Sequence, residues 1–457
     1  MPRDNPSIFF LTQLDPRAAI KGSRDPLGFQ PLWTHLGRRV VGNLTTVTTS
    51  LRNFTTLLLG LYFTERALVA GHFDEGERAN LFLKFEQLAA YSRYAYNGDE
   101  TETAESPRGL RRVQRKLAEG KGRVRISSAG EHQILSSQKT YGIWGLFTVA
   151  ARQSGLVERQ ENRLTPKAQD FVEREYLPHL SYAGSKGGGE ALRFLDRDSA
   201  FEPKGKDKRL GKALAELLGA GVSVNERAFY TNTLVLGAEE NYDHTRGRQR
   251  QLWDDIAEIN DAGRFDWDAD FGSEELNEVV KRAGSKGQAE LAEALGAIQT
   301  IEPVLATAGA IFGFMLARGD STVDAVARDI SDAWGKRPTH IDAGRVEALG
   351  PRLQGAFPAE SAERAVNSSG RVVRMARLIA EGDYAGFARV AVEQNADVMR
   401  ARGGAPWVTL DGDRLKVRLR EQSGRLPAPK RLPTLWANTY FINSLKSVGR
   451  AATGRGD

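Results

Sequence analysis

The 457-residue chain contains no cysteine. Disulfides, thiolate-bound zinc, iron–sulfur clusters and cysteine nucleophiles are thereby excluded. Histidine is scarce as well: His35, His72, His132, His179, His244 and His340 stand far apart, and no HExxH spacing occurs. The apolar run Ile8-Phe9-Phe10-Leu11 is too short for a signal-peptide core. The most apolar helical stretch, around Leu57–Phe63, falls well short of the ~20 residues that cross a bilayer. These absences lead to the expectation of a cytoplasmic protein without a membrane segment.

Nucleotide and nuclease signals are equally thin. Gly184–Gly189 lacks the GK[ST] ending of a phosphate loop, and Gly211-Lys212 is followed by Ala213 where a metal-binding hydroxyl belongs. Asp411, Asp413 and Lys416 are the nearest imitation of a nuclease set, but Asp411-Gly412-Asp413 is also what a hairpin tip requires. Asp254-Asp255 and Glu239-Glu240 would need partners supplied by folding. The reading is no catalytic residue, no metal ligand and no cofactor. A metal-dependent nuclease whose carboxylates gather only on folding stays an open alternative.

What is present is length, helical periodicity and local charge. A chain this long holds roughly two to four domains. Its formal charge of +6 is mild for the size, so the placement of cations matters more than their total. Residues 1–42 read as mostly irregular, with turn signals at Asp15-Pro16, Gly22-Ser23 and Asp25-Pro26-Leu27-Gly28. Leu44, Val47, Leu51, Phe54, Leu58 and Leu61 then recur at helical spacing from Asn43 onward. Asp74 and Glu77 form a capping-box pattern for a second helix with Leu81, Phe82, Phe85 and Leu88 on one face, so the two are expected to pack as a hairpin. Further helices are expected at 210–220, 225–236, 245–259, 273–283, 286–299, 359–381 and 383–401. Another should begin at Ser321, and Pro303–Leu316 belongs in a core. Trp407–Leu419 reads as a β-hairpin about Asp411-Gly412-Asp413, and Leu435–Leu445 as an aromatic helix. The fold class is mainly α with minor β. The proposed segments are an N-terminal helical region over 1–100, a basic segment with a second module over 101–183, a helical domain over 184–405, and the hairpin with the aromatic helix over 406–457.

The module at about 135–175 carries the most specific pattern. Tyr141–Ser154 reads as a helix, Gly155 as its C-cap, Leu156-Val157 as a strand entering the core, and Glu158–Arg163 as a charged tip. Leu164-Thr165-Pro166 then returns the chain and starts another helix. This phrase resembles the second half of the winged helix-turn-helix module of bacterial regulators. The resemblance implies a recognition helix over about Gly145–Ser154, with Arg152 and Gln153 near a DNA groove and Arg159 and Arg163 in the wing at phosphates or the minor groove. The helix departs from the pattern in being largely apolar (GLFTVAARQ).

Just upstream, Arg108, Arg111, Arg112, Arg115 and Lys116 lie mostly off the helical face formed by Leu110, Val113 and Leu117. Clustered cations of this kind suit phosphate binding, although Glu102, Glu105 and Glu119 can neutralise part of the charge. A second basic run follows at Lys204, Lys206, Lys208, Arg209 and Lys212. The opening run from Gly22 to Gly60 is similar to uncharacterised bacterial proteins associated with anti-phage defence operons. The leading expectation is a non-catalytic DNA-binding or DNA-sensing subunit of a multi-protein system. Its partners would be double-stranded DNA and proteins of the same operon. The alternative from another class is a helical scaffold that docks protein partners.

Overall fold

This computed structural model describes residues 25–70, 73–98, 107–181, 188–219, 221–237, 243–335, 338, 340–353, 356, 369–419 and 424–455. In chain order these residues form α1 (Gln30–Arg38), α2 (Leu51–Val69), α3 (Arg78–Asn97), α4 (Leu110–Glu119), β1 (Val124–Ile126), α5 (Gln138–Tyr141), α6 (Ile143–Gln153) and α7 (Pro166–Phe171). Next come α8 (Gly189–Asp196), β2 (Ser199–Phe201), α9 (Lys208–Leu217), α10 (Val224–Tyr230), α11 (Arg248–Asp261), α12 (Ser273–Ser285) and α13 (Ala289–Leu316). The chain closes with α14 (Val323–Trp334), α15 (Ala343–Leu353), α16 (Ser369–Glu381), α17 (Tyr384–Ala401), β3 (Val408–Asp411), β4 (Arg414–Val417) and α18 (Ile442–Thr453). The fold is mainly α with two small antiparallel ribbons, β1–β2 and β3–β4.

The chain divides into two compact units, one of residues 1–37 with 272–440 and the other of 38–271 with 441–457. In the first, α13 is the central helix. It packs against α12, α15, α16 and α17, while β3–β4 closes against α17. By length and composition alone α13 would cross a membrane, yet 67% of its most apolar window is buried inside the protein, as a core helix requires. The expected helix over 286–299 and the core segment from Pro303 are this one helix, with Pro303 inside it. The β-hairpin stands where the Asp-Gly-Asp signal places it, with Gly412 at a φ of 58° that favours glycine.

In the second unit α2 and α3 form the expected hairpin, with α4, α6, α8 and α9 laid around it. The crossing is close. A Cβ at Gly60 of α2 would lie 2.5 Å from the Phe82 ring of α3, so only glycine lets these helices approach this far. Inside the unit lies a polar network that the apolar periodicity does not announce. Arg52 Nη1 donates to Glu226 Oε1 at 2.6 Å, and Tyr176 donates to the same oxygen at 2.9 Å. The Tyr230 hydroxyl sits 3.0 Å from Tyr176 and 2.9 Å from Thr55. Glu226 also closes a capping box with Ser223 at the start of α10.

Four local readings need correction. The stretch 1–42 is not irregular throughout: the Asp25–Gly28 turn launches α1, because the Asp25 carboxylate takes the N–H groups of Phe29 and Gln30. The helix expected from Asn43 begins only at Leu51. Asn43 instead donates to Ser154 Oγ and to the Thr233 and Leu234 carbonyls, and Ser50 supplies the cap. Asp74 makes no side-chain cap, since Glu75–Glu77 form a short 3-10 turn ahead of α3. The aromatic segment 435–441 is not helical. Glu302 accepts the N–H of Asn438 at 3.0 Å and that of Ala437, which holds the segment open, and Tyr440 and Phe441 both take left-handed backbone before α18 starts. Of the acidic loop expected over Asn97–Pro107, residues 99–106 lie outside the described residues, as do the glycine run at 184–187 and the first part of the 359–381 helix.

Candidate nucleic-acid interface

The basic helix α4 buries Val113 and Leu117 against α3 and turns its cations to other sides. Their environments differ. Arg111 is exposed, and Arg115 is exposed with Glu119 at 3.8 Å. Arg112 reaches the Gln133 carbonyl at 3.5 Å, and Lys116 donates to the Glu131 carbonyl, so both brace the turn after β1. Partial burial, then the nearby Arg112 and Arg115, hold the Lys116 ammonium below its ordinary pKa. Arg108, just before α4, is half-buried. Desolvation lowers its pKa against the pull of Glu86.

The chain leaves α4 through Gly120-Lys121-Gly122 into β1, where Val124 and Ile126 point inward and Arg125 outward. Strand β1 pairs antiparallel with β2 in the register Val124↔Phe201, Arg125↔Ala200, Ile126↔Ser199. That register brings the end of α4 to the start of the 202–208 turn, and with it the second basic run. Arg123 meets Glu202 at 3.6 Å, and Lys206 meets it at 4.0 Å. Arg111, Lys121, Arg125, Lys204, Lys208 and Arg209 are exposed, and none has a carboxylate at ion-pair distance among the described residues.

The turn that carries the lysines is anchored from below. Buried Asp207 accepts the Glu202 N–H at 2.9 Å and pairs with Arg193 at 2.7 Å. The Tyr96 hydroxyl lies 3.0 Å from the Pro203 carbonyl and 3.2 Å from that of Lys208, and Lys204 Nζ stands 5.6 Å from the Tyr96 ring centre. Neither Tyr96 nor Asp207 is evident from composition. Arg125 carries the one legible signal, a cation alternating with Val124 and Ile126 at strand period.

In the 141–166 segment the helix expected over Tyr141–Ser154 is broken at Gly142, so that Tyr141 ends α5 and α6 spans Ile143–Gln153, and the expected strands reduce to a single bridge. After α6, Gly155 at φ 69° closes the helix, and Leu156 N–H returns to the Ala151 carbonyl at 2.9 Å. Val157 and Leu164 face one another in an isolated antiparallel bridge, and Glu158 N–H meets the Arg163 carbonyl at 2.9 Å. Thr165 then caps α7, with Pro166 at its first turn.

The side chains expected at DNA differ in their surroundings. Arg152 donates to Asn162 Oδ1 and is half-buried, and Gln153 is also half-buried. Arg159 is exposed. Arg163 sits among carboxylates, 3.1 Å from Glu161, 3.4 Å from Glu65 and 3.8 Å from Glu75. Arg78 joins the same carboxylate set, 2.7 Å from Glu65. The outward face of α5–α6 carries Tyr141, Gly145 and Val149.

Glu86 is fully buried at the junction of these elements, and no periodicity marks it beyond a lone carboxylate in an apolar helix. Its Oε1 accepts the Ile143 N–H at 2.7 Å, the first amide of α6, and its Oε2 accepts from Gln138 at 2.8 Å. Burial pushes this carboxyl up to about 7, against the two hydrogen bonds and the Arg108 charge.

Among the described residues no three His, Asp or Glu side chains gather as a metal site. Asp413 pairs with Arg389 at 2.5 Å and Lys416 with Asp320 at 2.9 Å, as a braced hairpin. Comparison with protein-family models, with curated proteins and with solved structures finds no match for this chain.

Proposed function

We propose that the second unit binds the phosphate backbone of double-stranded DNA through the cations of α4, the β1–β2 ribbon and the 202–212 segment. The observation that carries this reading is the β1–β2 register, which brings two basic runs about 90 residues apart in sequence to one end of one ribbon. Six exposed cations with no described carboxylate at ion-pair distance suit phosphate contacts, which position a protein on DNA without reading its bases. The helix–glycine–bridge–helix path of 143–171 supports the winged-helix comparison. Within that comparison the DNA-facing set shifts: Arg111, Lys121, Arg125, Lys204, Lys208 and Arg209 form it, with half-buried Arg108 joining them ahead of α4, while Arg163 spends its charge on Glu65, Glu75 and Glu161. The function is that of a non-catalytic DNA-binding subunit in the cytoplasm. Its assignment to a multi-protein anti-phage system rests on the resemblance of the opening run alone.

Fluorescence anisotropy with duplex DNA at two salt concentrations tests this. Wild type is expected to bind with a steep salt dependence. Arg125→Glu/Lys204→Glu/Lys208→Glu should weaken binding and reduce the log–log salt slope by about 0.9 for each phosphate the variant no longer neutralises. Arg163→Ala should bind as wild type does. Absence of wild-type binding at low salt discards the reading.

One observation favours the second reading, a scaffold for protein partners. Tyr141 at the end of α5 is 58% exposed and Val149 on α6 is 46% exposed. On that reading duplex DNA does not bind at any salt concentration, and Val149→Glu disrupts a complex with another protein of the same system.

A further inference from the structure

We propose that Glu86, with the small cavity it shares with Asn53 and Arg108, is a proton- and water-binding site that governs how α4 and α6 are held to α3. Its control over DNA affinity rests on the function proposed above, whereas the proton site itself does not.

Glu86 reaches three elements from one carboxyl group. It caps α6 through Ile143 N–H, holds α5 through Gln138, and faces Arg108, the residue that leads into the basic helix. Beside it is a cavity of about 10 Å³, close to the room one water needs, bordered by Asn53, Thr56, Arg93, Arg108 and Ile134. Both Glu86 oxygens already accept a bond from protein, so a proton on the carboxyl has only the cavity to point into. The waiting acceptor there is Asn53 Oδ1. Asn53 is 3% exposed, and this atom has no hydrogen-bond partner among the described residues. One water between the O–H and Asn53 Oδ1 satisfies both groups, which neither achieves alone.

The charged groups around Glu86 are few. Arg93 comes from its own helix and Arg108 from the segment before α4. Helix α2 contributes neutral Asn53 and Thr56, α5 contributes neutral Gln138, and α6 contributes a backbone N–H. In the acid form the carboxyl is neutral and leaves the Arg108 guanidinium to the surface and to phosphate. On losing the proton it becomes a buried anion, draws Arg108 inward and withdraws one cation from the DNA-facing side. The Glu86 carboxyl titrates near neutrality, which puts this exchange within the working pH of a cell.

Hydrogen exchange read by mass spectrometry on the full chain at pH 6, 7 and 8, corrected for intrinsic rates, tests the site. In wild type, protection of peptides covering 107–113 and 142–150 is expected to change across this range, and in Glu86→Gln to stay level. Equal pH profiles in the two proteins overturn the proposal. Should Glu86→Gln fail to fold, Arg108→Gln carries the test: the exchange midpoint must move to higher pH as the anion loses its partner, and an unmoved midpoint overturns it. Duplex DNA affinity at fixed ionic strength should weaken about threefold from pH 6 to pH 8 in wild type and remain constant in Glu86→Gln. A pH-dependent exchange profile without any DNA binding leaves the proton site standing and removes the proposed function. Exchange that is independent of pH, with intact DNA binding, does the reverse.

Discussion

Glu86 Oε1 accepts the backbone N–H of Ile143 at 2.7 Å, so a carboxyl on one helix caps another that begins 57 positions later. Caps normally come from the residue just before a helix. Here that residue is Gly142, whose absent side chain leaves room for the Glu86 carboxylate, which a Cβ at position 142 would approach to 2.7 Å. The arrangement joins helix termination, burial and protonation at one atom.

The first prediction concerns pH and stability. The folded Glu86 carboxyl titrates at about 7, above the ordinary 4.5 of the unfolded chain. Between those values the folded state holds more protons than the unfolded one. The Glu86 contribution is therefore complete below about pH 4.5 and is lost as pH rises through 7. Urea unfolding of wild type and Glu86→Gln at pH 5 and pH 8 should show the variant gaining on wild type at the higher pH, by up to about 3 kcal/mol. A constant difference at both pH values contradicts it.

A second prediction follows from the buried pair Arg52–Glu226. Glu226→Ala strands a guanidinium that is 2% exposed and removes the acceptor of Tyr176. The expected loss is about 3–5 kcal/mol by urea unfolding. Replacing both partners by apolar residues of similar volume should cost far less, because no buried charge is then left alone.

Close helix packing supplies the third. Gly60→Ala places a methyl where the Phe82 ring lies and should destabilise the second unit by about 1–3 kcal/mol. Phe82→Leu in the same chain relieves the clash, so the double variant should recover part of the loss. Additive losses in a double-mutant cycle argue against it.

The fourth separates positioning from direct binding. Tyr96→Phe keeps the ring beside Lys204 but loses the hydroxyl that spans the Pro203 and Lys208 carbonyls. A cost of about 1 kcal/mol in stability is expected. DNA affinity should fall with no change in the salt slope, since no cation is removed. A reduced slope would mean that Tyr96 acts through charge after all.

Much of the helical architecture is legible along the chain, because burying one face of a helix imposes a local period on the residues. The spacing of Leu81, Phe82, Phe85 and Leu88 marks α3, and Asp411-Gly412-Asp413 marks the hairpin turn without reference to anything distant. Where local signals misled, a distant group had intervened. The aromatic run 435–441 has helical spacing, yet Glu302, far back on α13, captures its amides and prevents the helix. Asn43 is drawn away in the same manner by Ser154 and the Thr233–Leu234 carbonyls.

The sequence by itself determined the helical class, the absence of cysteine chemistry, and where cations cluster along the chain, since each follows from residue type and short-range period. Only the tertiary structure decided which cations face solvent and which are answered by carboxylates. The β1–β2 register puts Lys121 and Lys204 at one ribbon end, while Arg163 meets Glu65 of α2. Pairings over such separations depend on which surfaces fold together, and residue order alone does not encode them in any local pattern. Glu86 is the sharpest instance: along the chain it is one carboxylate among many, and burial makes it titrate near neutrality.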